Sequence, residues 1–402
     1  MSCPEQWRND EEIKIFQEYL RIPTQHPDID YTECVEFLKR QAGNLNLPVD
    51  VIHPGMPSKP VVIMKWLGKC PELPSIVLNS HMDVVPVFPE KWTHDPFAAH
   101  MDNEGRIYAR GAQDMKSVAC QYLAAIRSLK SSGYQPKRTV FLTFVPDEET
   151  GGDMGMAELV KGDYFTKMNV GFSLDEGIAS EDDSYPVFYA ERTCWHLRLK
   201  FSGTSGHGSL LLKSTAGEKF HYVMDKIMKF RETQVQLLAN DSSLDLGDAT
   251  TLNLTMLDGG KQSNVVPPLL EAVFDIRIAI KQDLAELEQL IRNWCDEVGG
   301  GVELDFILKC PFVEPTKVDD SNPYWLAFKT AMDELNLKVH PRVFPAATDS
   351  CFIRAIGIPA LGFSPIKNTP VLLHNHDEYL RADTYLHGIQ VYKKLIPALA
   401  DS

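Results

Sequence analysis

Thr139-Val140-Phe141-Leu142-Thr143-Phe144-Val145-Pro146-Asp147-Glu148-Glu149-Thr150-Gly151-Gly152 is the stretch from which the fold is read. An apolar, β-rich run that stops in three consecutive carboxylates and two glycines predicts a buried strand delivering acids to its carboxyl end, where open α/β sheets hold their ligands. Three adjacent anions repel one another, and each costs free energy to desolvate, so a cation belongs among them, either a metal or arginines. Taken alone, the triplet reads better as a solvated turn after an edge strand. The neighbouring segments decide between the two.

Two further strands end in the same way. Residues 75–79 run into Ser80-His81-Met82-Asp83, and residues 169–174 run into Asp175-Glu176-Gly177. Between them the segment Arg106-Ile107-Tyr108-Ala109-Arg110-Gly111-Ala112-Gln113-Asp114-Met115-Lys116 changes from strand to turn to helix, and the helix predicted over 115–131 has Asp114 at its cap position. Upstream, Ile13, Phe16, Tyr19 and Leu20 repeat at helical spacing. A second helix is predicted over 31–45, with strands over 48–53 and 61–67. Toward the carboxyl end the pattern predicts helices over 323–335, 349–355 and 384–399 and a strand over 359–363. Strands alternating with helices indicate an α/β sheet.

Between residues 190 and 310 the pattern changes. A strand over 195–201, a helix over 218–238, strands over 250–257 and 271–280, a helix over 284–298 and a strand over 302–308 give the order β-α-β-β-α-β. That is the split-βαβ, ferredoxin-like α+β arrangement, long enough to be a domain of its own. The expected organisation is therefore an α/β domain from residues 1–189 and 311–402, interrupted by an inserted domain at 190–310.

Composition narrows the function. The 402 residues are 44% hydrophobic, enough for ordinary cores, and the net charge of -15 argues against nucleic acid or an anionic membrane as partner. No apolar run is long enough to span a bilayer. The stretch Met1-Ser2-Cys3-Pro4-Glu5-Gln6-Trp7-Arg8 has no apolar segment of the signal-peptide kind, so a cytoplasmic protein is expected. Its eight cysteines (Cys3, Cys34, Cys70, Cys120, Cys194, Cys295, Cys310, Cys351) form no CxxC pair and read as reduced packing residues.

The polar residues just past strand ends are His81, Asp83, Asp114, Glu148, Glu149, Asp175 and Glu176, joined near the carboxyl end by His374-Asn375-His376-Asp377-Glu378. Imidazoles and carboxylates without cysteine suit a borderline-hard cation such as zinc, with cobalt or manganese as substitutes. Three carboxylates and two neutral imidazoles come close to balancing two dications, and a bridging carboxylate suits metals about 3.5–4 Å apart, as in hydrolytic two-metal sites. Rival readings stand beside these. His81 is also readable as a core histidine bonded to backbone, Asp114 as a helix cap only, and Arg277 as the partner of Asp275 in an ion pair. Asp175 competes with Glu176, and His374 with His376, for one role each. His196, His221, His340 and His387 read as surface or packing residues.

The motifs His81-Met82-Asp83, Gly111-Ala112-Gln113-Asp114-Met115-Lys116, Asp147-Glu148-Glu149-Thr150-Gly151-Gly152, Asp175-Glu176-Gly177, Gly206-His207-Gly208-Ser209 and His374-Asn375-His376-Asp377-Glu378 stand in an order that resembles the M20 metallopeptidase and amidohydrolase family over essentially the whole chain. Pro345-Ala346-Ala347-Thr348-Asp349, Ala360-Leu361-Gly362-Phe363-Ser364-Pro365 and Thr369-Pro370-Val371-Leu372-Leu373-His374 are similar to members that hydrolyse N-acyl amino acids.

The resemblance implies a zinc-peptidase-like domain with a mixed sheet flanked by helices, and two zinc ions per subunit. Asp114 would bridge them, with His81 and Glu176 completing one site and Glu149 and His374 the other. Asp83 would hold a ligand imidazole in its tautomer, and Glu148 would be the general base. His207 would stabilise an oxyanion across the interface of a homodimer, with the inserted domain serving as lid and dimerisation module. Arg277, assisted by Asn264, would clamp the carboxylate of a small N-acylated amino acid. Gly208 departs from the family's usual Ala or Ser. A dipeptidase or carboxypeptidase of the same family, and a non-catalytic binding protein with the same fold, are the rival functions; retention of Glu148 with every ligand argues against the latter.

Overall fold

The computed structural model describes residues 4–402; Met1, Ser2 and Cys3, and with them part of the amino-terminal reading, lie outside the described residues. An eight-stranded sheet organises the larger of two compact units, which comprises, of the described residues, 4–189, 316–341 and 348–402. Its strands lie in the order Val49–Ile52, Val61–Trp66, Val140–Val145, Ser75–His81, Val170–Asp175, Ala360–Gly362, Ser184–Glu191 and Lys338–Phe344. The four central strands run parallel to one another, and antiparallel strands flank them, so the sheet is mixed.

Every residue of Ser75–His81 and of Val140–Val145 is buried, as expected of parallel strands covered on both faces. Alternate side chains serve two cores. Ile76, Leu78, Val140, Leu142 and Phe144 pack in a cluster with Phe16, Leu38, Val118, Leu123 and Tyr392. Val61, Ile63, Val77, Phe141 and Val145 pack on the other face with Met156, Leu159, Phe165, Met168 and Ile353. The helices Glu11–Leu20, Thr32–Asn44, Lys116–Ser131 and Ala382–Asp401 supply the first layer, and ring stacks such as Phe16 on Tyr385 at 4.4 Å join them. Because the central strands are parallel, with His81 level with Val145 and Leu78 level with Leu174, their carboxyl ends open on one edge. That register gathers three strand-end motifs far apart in sequence.

The sequence reading assigns no strand to Ser184–Glu191 or Lys338–Phe344. Each contains a proline, Pro186 and Pro341, which lacks the N–H of a ladder donor and demotes a strand on pattern alone. Both lie at one side of the sheet, where a missing donor is tolerated. The short helices Met156–Leu159 and Asp163–Met168, also outside the sequence reading, build the second core.

The second unit comprises residues 190–315 and 342–347. Its four-stranded antiparallel sheet has the order Thr251–Gly259, Leu269–Ile278, Thr193–Ser202, Val302–Lys309. Together with the helices Ala216–Asn240 and Leu284–Asp296 this gives β-α-β-β-α-β along the chain, around Leu197, Leu199, Phe201, Val223, Ile227, Phe274, Ile276, Leu287 and Ile291. Thr215 opens the longer helix with a capping box closed by Glu218. Among the described residues no helix is long and apolar enough to cross a membrane, and the seven described cysteines form no disulfide.

Candidate metal centre

His81 closes its strand with the ring 1% exposed. Its Nδ1 lies 2.9 Å from the backbone carbonyl of Asp83. A carbonyl only accepts, so Nδ1 carries the hydrogen and Nε2 presents its lone pair outward. Yet Nε2 stands 2.9 Å from Asp114 Oδ1 and 3.6 Å from Glu176 Oε2. Two acceptors at such a separation need a proton or a metal cation between them.

The other carboxylate oxygen, Asp114 Oδ2, is 3.2 Å from His374 Nε2, which is itself 3.0 Å from Glu149 Oε2. Asp114 thus offers one oxygen to each imidazole, the arrangement of a bridging carboxylate. Glu149 Oε1 is buried and has no hydrogen-bond partner. His81, Glu148 and Glu176 form one group of donor atoms mutually within 4.8 Å, and His81, Asp114 and Glu149 another.

The electrostatics agree with a missing positive charge. Burial, with the Glu176 charge added, pushes the Glu148 carboxyl well up. Burial and Asp114 do the same to Glu176 and raise Glu149. Hydrogen bonds that His374 donates to Asp114 and then Glu149 push its ring up to about 10. Burial opposes protonation of His81, but Glu176 and Asp114 outweigh it and push that ring well up as well. Without metal the cluster can be stable only by collecting protons, and cations at the same place would replace them. Donor set, spacing and the orphaned Glu149 oxygen all fit a divalent cation centre.

Several expectations change in detail. Asp114 does not cap the following helix: the helix begins at Lys116, Met115 holds the cap position without a side-chain bond, and Asp114 is engaged with the imidazoles. Asp83 orients His81 through its backbone carbonyl rather than its carboxylate, which lies 3.5 Å from Nδ1. That carboxylate instead accepts the N–H groups of Glu148 and Glu149 at 3.2 and 3.1 Å and the Nε2–H of His26 at 2.8 Å. Burial pushes the Asp83 carboxyl up, but His26 and His81 outweigh it and hold it well below the usual range. Asp83 therefore anchors the turn that aims Glu148 and Glu149.

Asp175 points away from the imidazoles and is bonded to Asn79 Nδ2 at 3.0 Å and Ser350 Oγ at 2.8 Å, leaving Glu176 at His81. His376 stands edge-on to Phe88, with ring centroids 6.2 Å apart, while His374 faces the carboxylates. Glu148 Oε2 is 4.0 Å from His81 Nε2.

A staple outside the sequence reading holds the His374 loop. Buried Arg110 donates to Glu378 Oε2 at 2.7 Å and to the carbonyls of Asn375 and His374 at 3.1 and 3.3 Å. Glu378 also accepts from the N–H of Gln113 at 2.7 Å, and the Gln113 side chain bonds to Pro370, Tyr379 and Leu372. His26 and Arg110 carry no local signal in sequence, because each acts through a partner distant along the chain.

In the second unit, exposed His207 sits on the two-residue strand Gly206–His207, paired with Val265–Val266. Its Nδ1 accepts from the Ser209 N–H at 3.2 Å, which leaves Nε2–H as a donor. Gly208 donates to the Asn264 carbonyl at 2.7 Å, and a Cβ on Gly208 would lie 3.1 Å from that carbonyl, so glycine suits the close approach. Arg277 makes a two-pronged pair with Asp275, Nε to Oδ1 at 2.9 Å and Nη2 to Oδ2 at 3.0 Å; the ion-pair reading is realised in this structure. His196, expected to stand alone, bonds to Asp275 at 3.1 Å, and His387 to the Tyr185 hydroxyl at 3.0 Å.

Residues 77–398 match peptidase family M20/M25/M40. Aminoacylase-1 of Mus musculus is 48% identical over 390 residues, covering 96% of this chain and 95% of that protein. Aminoacylase-1 of Dictyostelium discoideum is 41% identical over 406 residues, covering 98% of both. Among solved structures, an M20 family metallo-carboxypeptidase from Sulfolobus solfataricus has a TM-score of 0.72 at 18% identity, covering 97% of this chain and 99% of its own. A dinuclear metal binding peptidase of the M20 family from Bacillus subtilis has a TM-score of 0.70 at 14% identity, covering 98% and 99%. At these identities the structural likeness establishes the fold.

Proposed function

The chain belongs to peptidase family M20/M25/M40, and from that premise we propose that it is a hydrolase of N-acyl-L-amino acids, releasing a carboxylate and a free L-amino acid. The observation that carries the chemistry is Asp114, whose two oxygens face two imidazoles while Glu148 stands beside them at 4.0 Å from His81. Similarity to the aminoacylase-1 proteins supports the substrate class.

His81, Asp114 and Glu176 would hold one zinc ion and Asp114, Glu149 and His374 a second. When bound, such cations lower the pKa of a water and polarise an amide carbonyl. Glu148 takes the proton from the attacking water at its carboxylate and passes it to the departing amine nitrogen. Burial, which disfavours its charged form, suits it to that exchange. Asp83 fixes the Glu148 backbone and, through its carbonyl, the His81 tautomer. Arg277, whose Nε and Nη2 Asp275 holds in this structure, would exchange that partner for the substrate carboxylate.

His207, with Nε2–H as donor, serves the oxyanion in the site of a partner subunit. The exposed Leu254, Met256 and Leu257 on the edge strand Thr251–Gly259 support pairing of two copies. The second unit acts as lid and dimerisation module of a cytoplasmic homodimer. Zinc-restored protein should release amino acid from N-acetylmethionine faster than from dipeptides. Release from neither class would overturn the activity, and faster release from dipeptides would overturn the substrate class. A His207→Ala chain mixed with a Glu148→Ala chain should regain turnover; no recovery in demonstrated mixed dimers would overturn the shared site.

A further inference from the structure

We propose that the second unit carries its own binding site for a thiophilic divalent cation, built from Cys194, His196 and Asp275, and separate from the centre at Asp114. Cys194 and His196 lie two apart on the strand Thr193–Ser202, and Asp275 is the cross-strand partner of His196. Cys194 Sγ is 3.7 Å from His196 Nε2, which is 3.1 Å from Asp275 Oδ2, and donor atoms of the three lie within 4.8 Å of one another. Metal–donor bonds of about 2.3 Å to sulfur and about 2.0 Å to nitrogen or oxygen, at tetrahedral angles, set donor separations of about 3.3–3.6 Å. The two separations that involve His196 Nε2, 3.7 and 3.1 Å, lie within a few tenths of an ångström of those that zinc or cobalt sets.

Cys310 lies across the ladder from Cys194, outside the group of donor atoms within 4.8 Å of one another. Cys310 N–H donates to the Cys194 carbonyl at 3.1 Å, continuing the ladder in which Lys309 faces Trp195. Charge decides that Cys310 takes part. Arg277 already neutralises Asp275, so a dication with one thiolate leaves a net positive charge beside a guanidinium. A second thiolate removes it. On binding, each thiol gives its proton to solvent as the sulfur–metal bond forms, and His196 carries its hydrogen on Nδ1 so that Nε2 coordinates. Asp275 then divides its carboxylate between cation and Arg277. Nothing in the centre at Asp114 is a thiol, so the two sites have different spectroscopic signatures.

The test is a cadmium titration of the zinc-loaded full chain, following the ultraviolet thiolate-to-cadmium charge-transfer band. The expected result is a band saturating at one equivalent, lost in Cys194→Ser and reduced in Cys310→Ser. His196→Ala should weaken affinity by about tenfold or more, the loss that even an outer partner of a metal ligand gives. Circular dichroism establishes that each variant is folded. A band unchanged in folded Cys194→Ser overturns the proposal. So does a band lost in Cys194→Ser but bound with equal affinity in His196→Ala, which marks a reactive thiol rather than a built site. Because the readout needs no turnover, it succeeds or fails independently of the proposed hydrolysis.

Discussion

Replacing Arg110 with methionine isolates the staple between the Asp114 turn and the His374 loop. The Arg110 and Glu378 side chains are 2% and 0% exposed, and methionine removes one bond to a carboxylate and two to loop carbonyls. Deleting one partner of a buried ion pair costs about 3–5 kcal/mol, because the other charge stays buried. Glu378 can relax by taking up a proton, since burial, against the pull of Arg110, already pushes its carboxyl up to about 7. The low end therefore applies, about 3 kcal/mol. At about 2 °C per kcal/mol for a unit of this size, Tm should fall by about 6 °C.

Glu378→Gln tests the same contact from the other side, keeping an acceptor oxygen for the Gln113 N–H while removing the charge. In the double variant no buried charge lacks its partner, so its loss should fall short of the sum of the single losses by about 1–3 kcal/mol. Urea unfolding of the metal-loaded protein, followed by circular dichroism at constant m-value, measures all four corners. A loss below about 1 kcal/mol for Arg110→Met, or strict additivity in the double variant, would refute the staple.

Glu148→Ala should lower turnover by about 10²–10⁴-fold with bound metal unchanged, whereas Asp114→Ala should lose both metals; equal metal loss on elemental analysis would contradict the division of roles. Chelation should lower Tm, and restoring cation at a thousandfold excess over Kd should return about 4 kcal/mol; scanning fluorimetry showing the same Tm in both states would contradict a buried carboxylate cluster that needs a cation. The acid limb of stability carries a separate test. Burial pushes the Asp102 carboxyl up, but the backbone and side chain of Arg106 outweigh it and hold it below the usual range. A depressed carboxyl stabilises above its unfolded pKa of about 3.9 and loses that contribution as pH falls through the lower folded value. The urea-midpoint gap between wild type and Asp102→Asn should be full at pH 5 and close toward pH 2, and a gap constant over that range would refute the assignment.

The sequence by itself determined the strands that carry the candidate ligands and the residue types gathered at their ends. Period and polarity are local properties, so the apolar runs before His81, Glu148 and Glu176 are legible as buried strands, and residue type alone restricts the metal. What only the tertiary structure decided is which atoms meet. Parallel register brings Leu78 level with Leu174, and beyond that point Asn79 and Ser350 hold Asp175 and leave Glu176 at His81, while the loop held by Arg110 turns His374 rather than His376 inward. Asp114 looks like a helix cap in sequence because Asp favours that position, but two imidazoles claim its oxygens first. Likewise Asp83 acts through its carbonyl because His26 and two backbone N–H groups occupy its carboxylate. A carboxylate's partners are set by desolvation and competition among groups tens to hundreds of residues apart, and no local pattern encodes that contest.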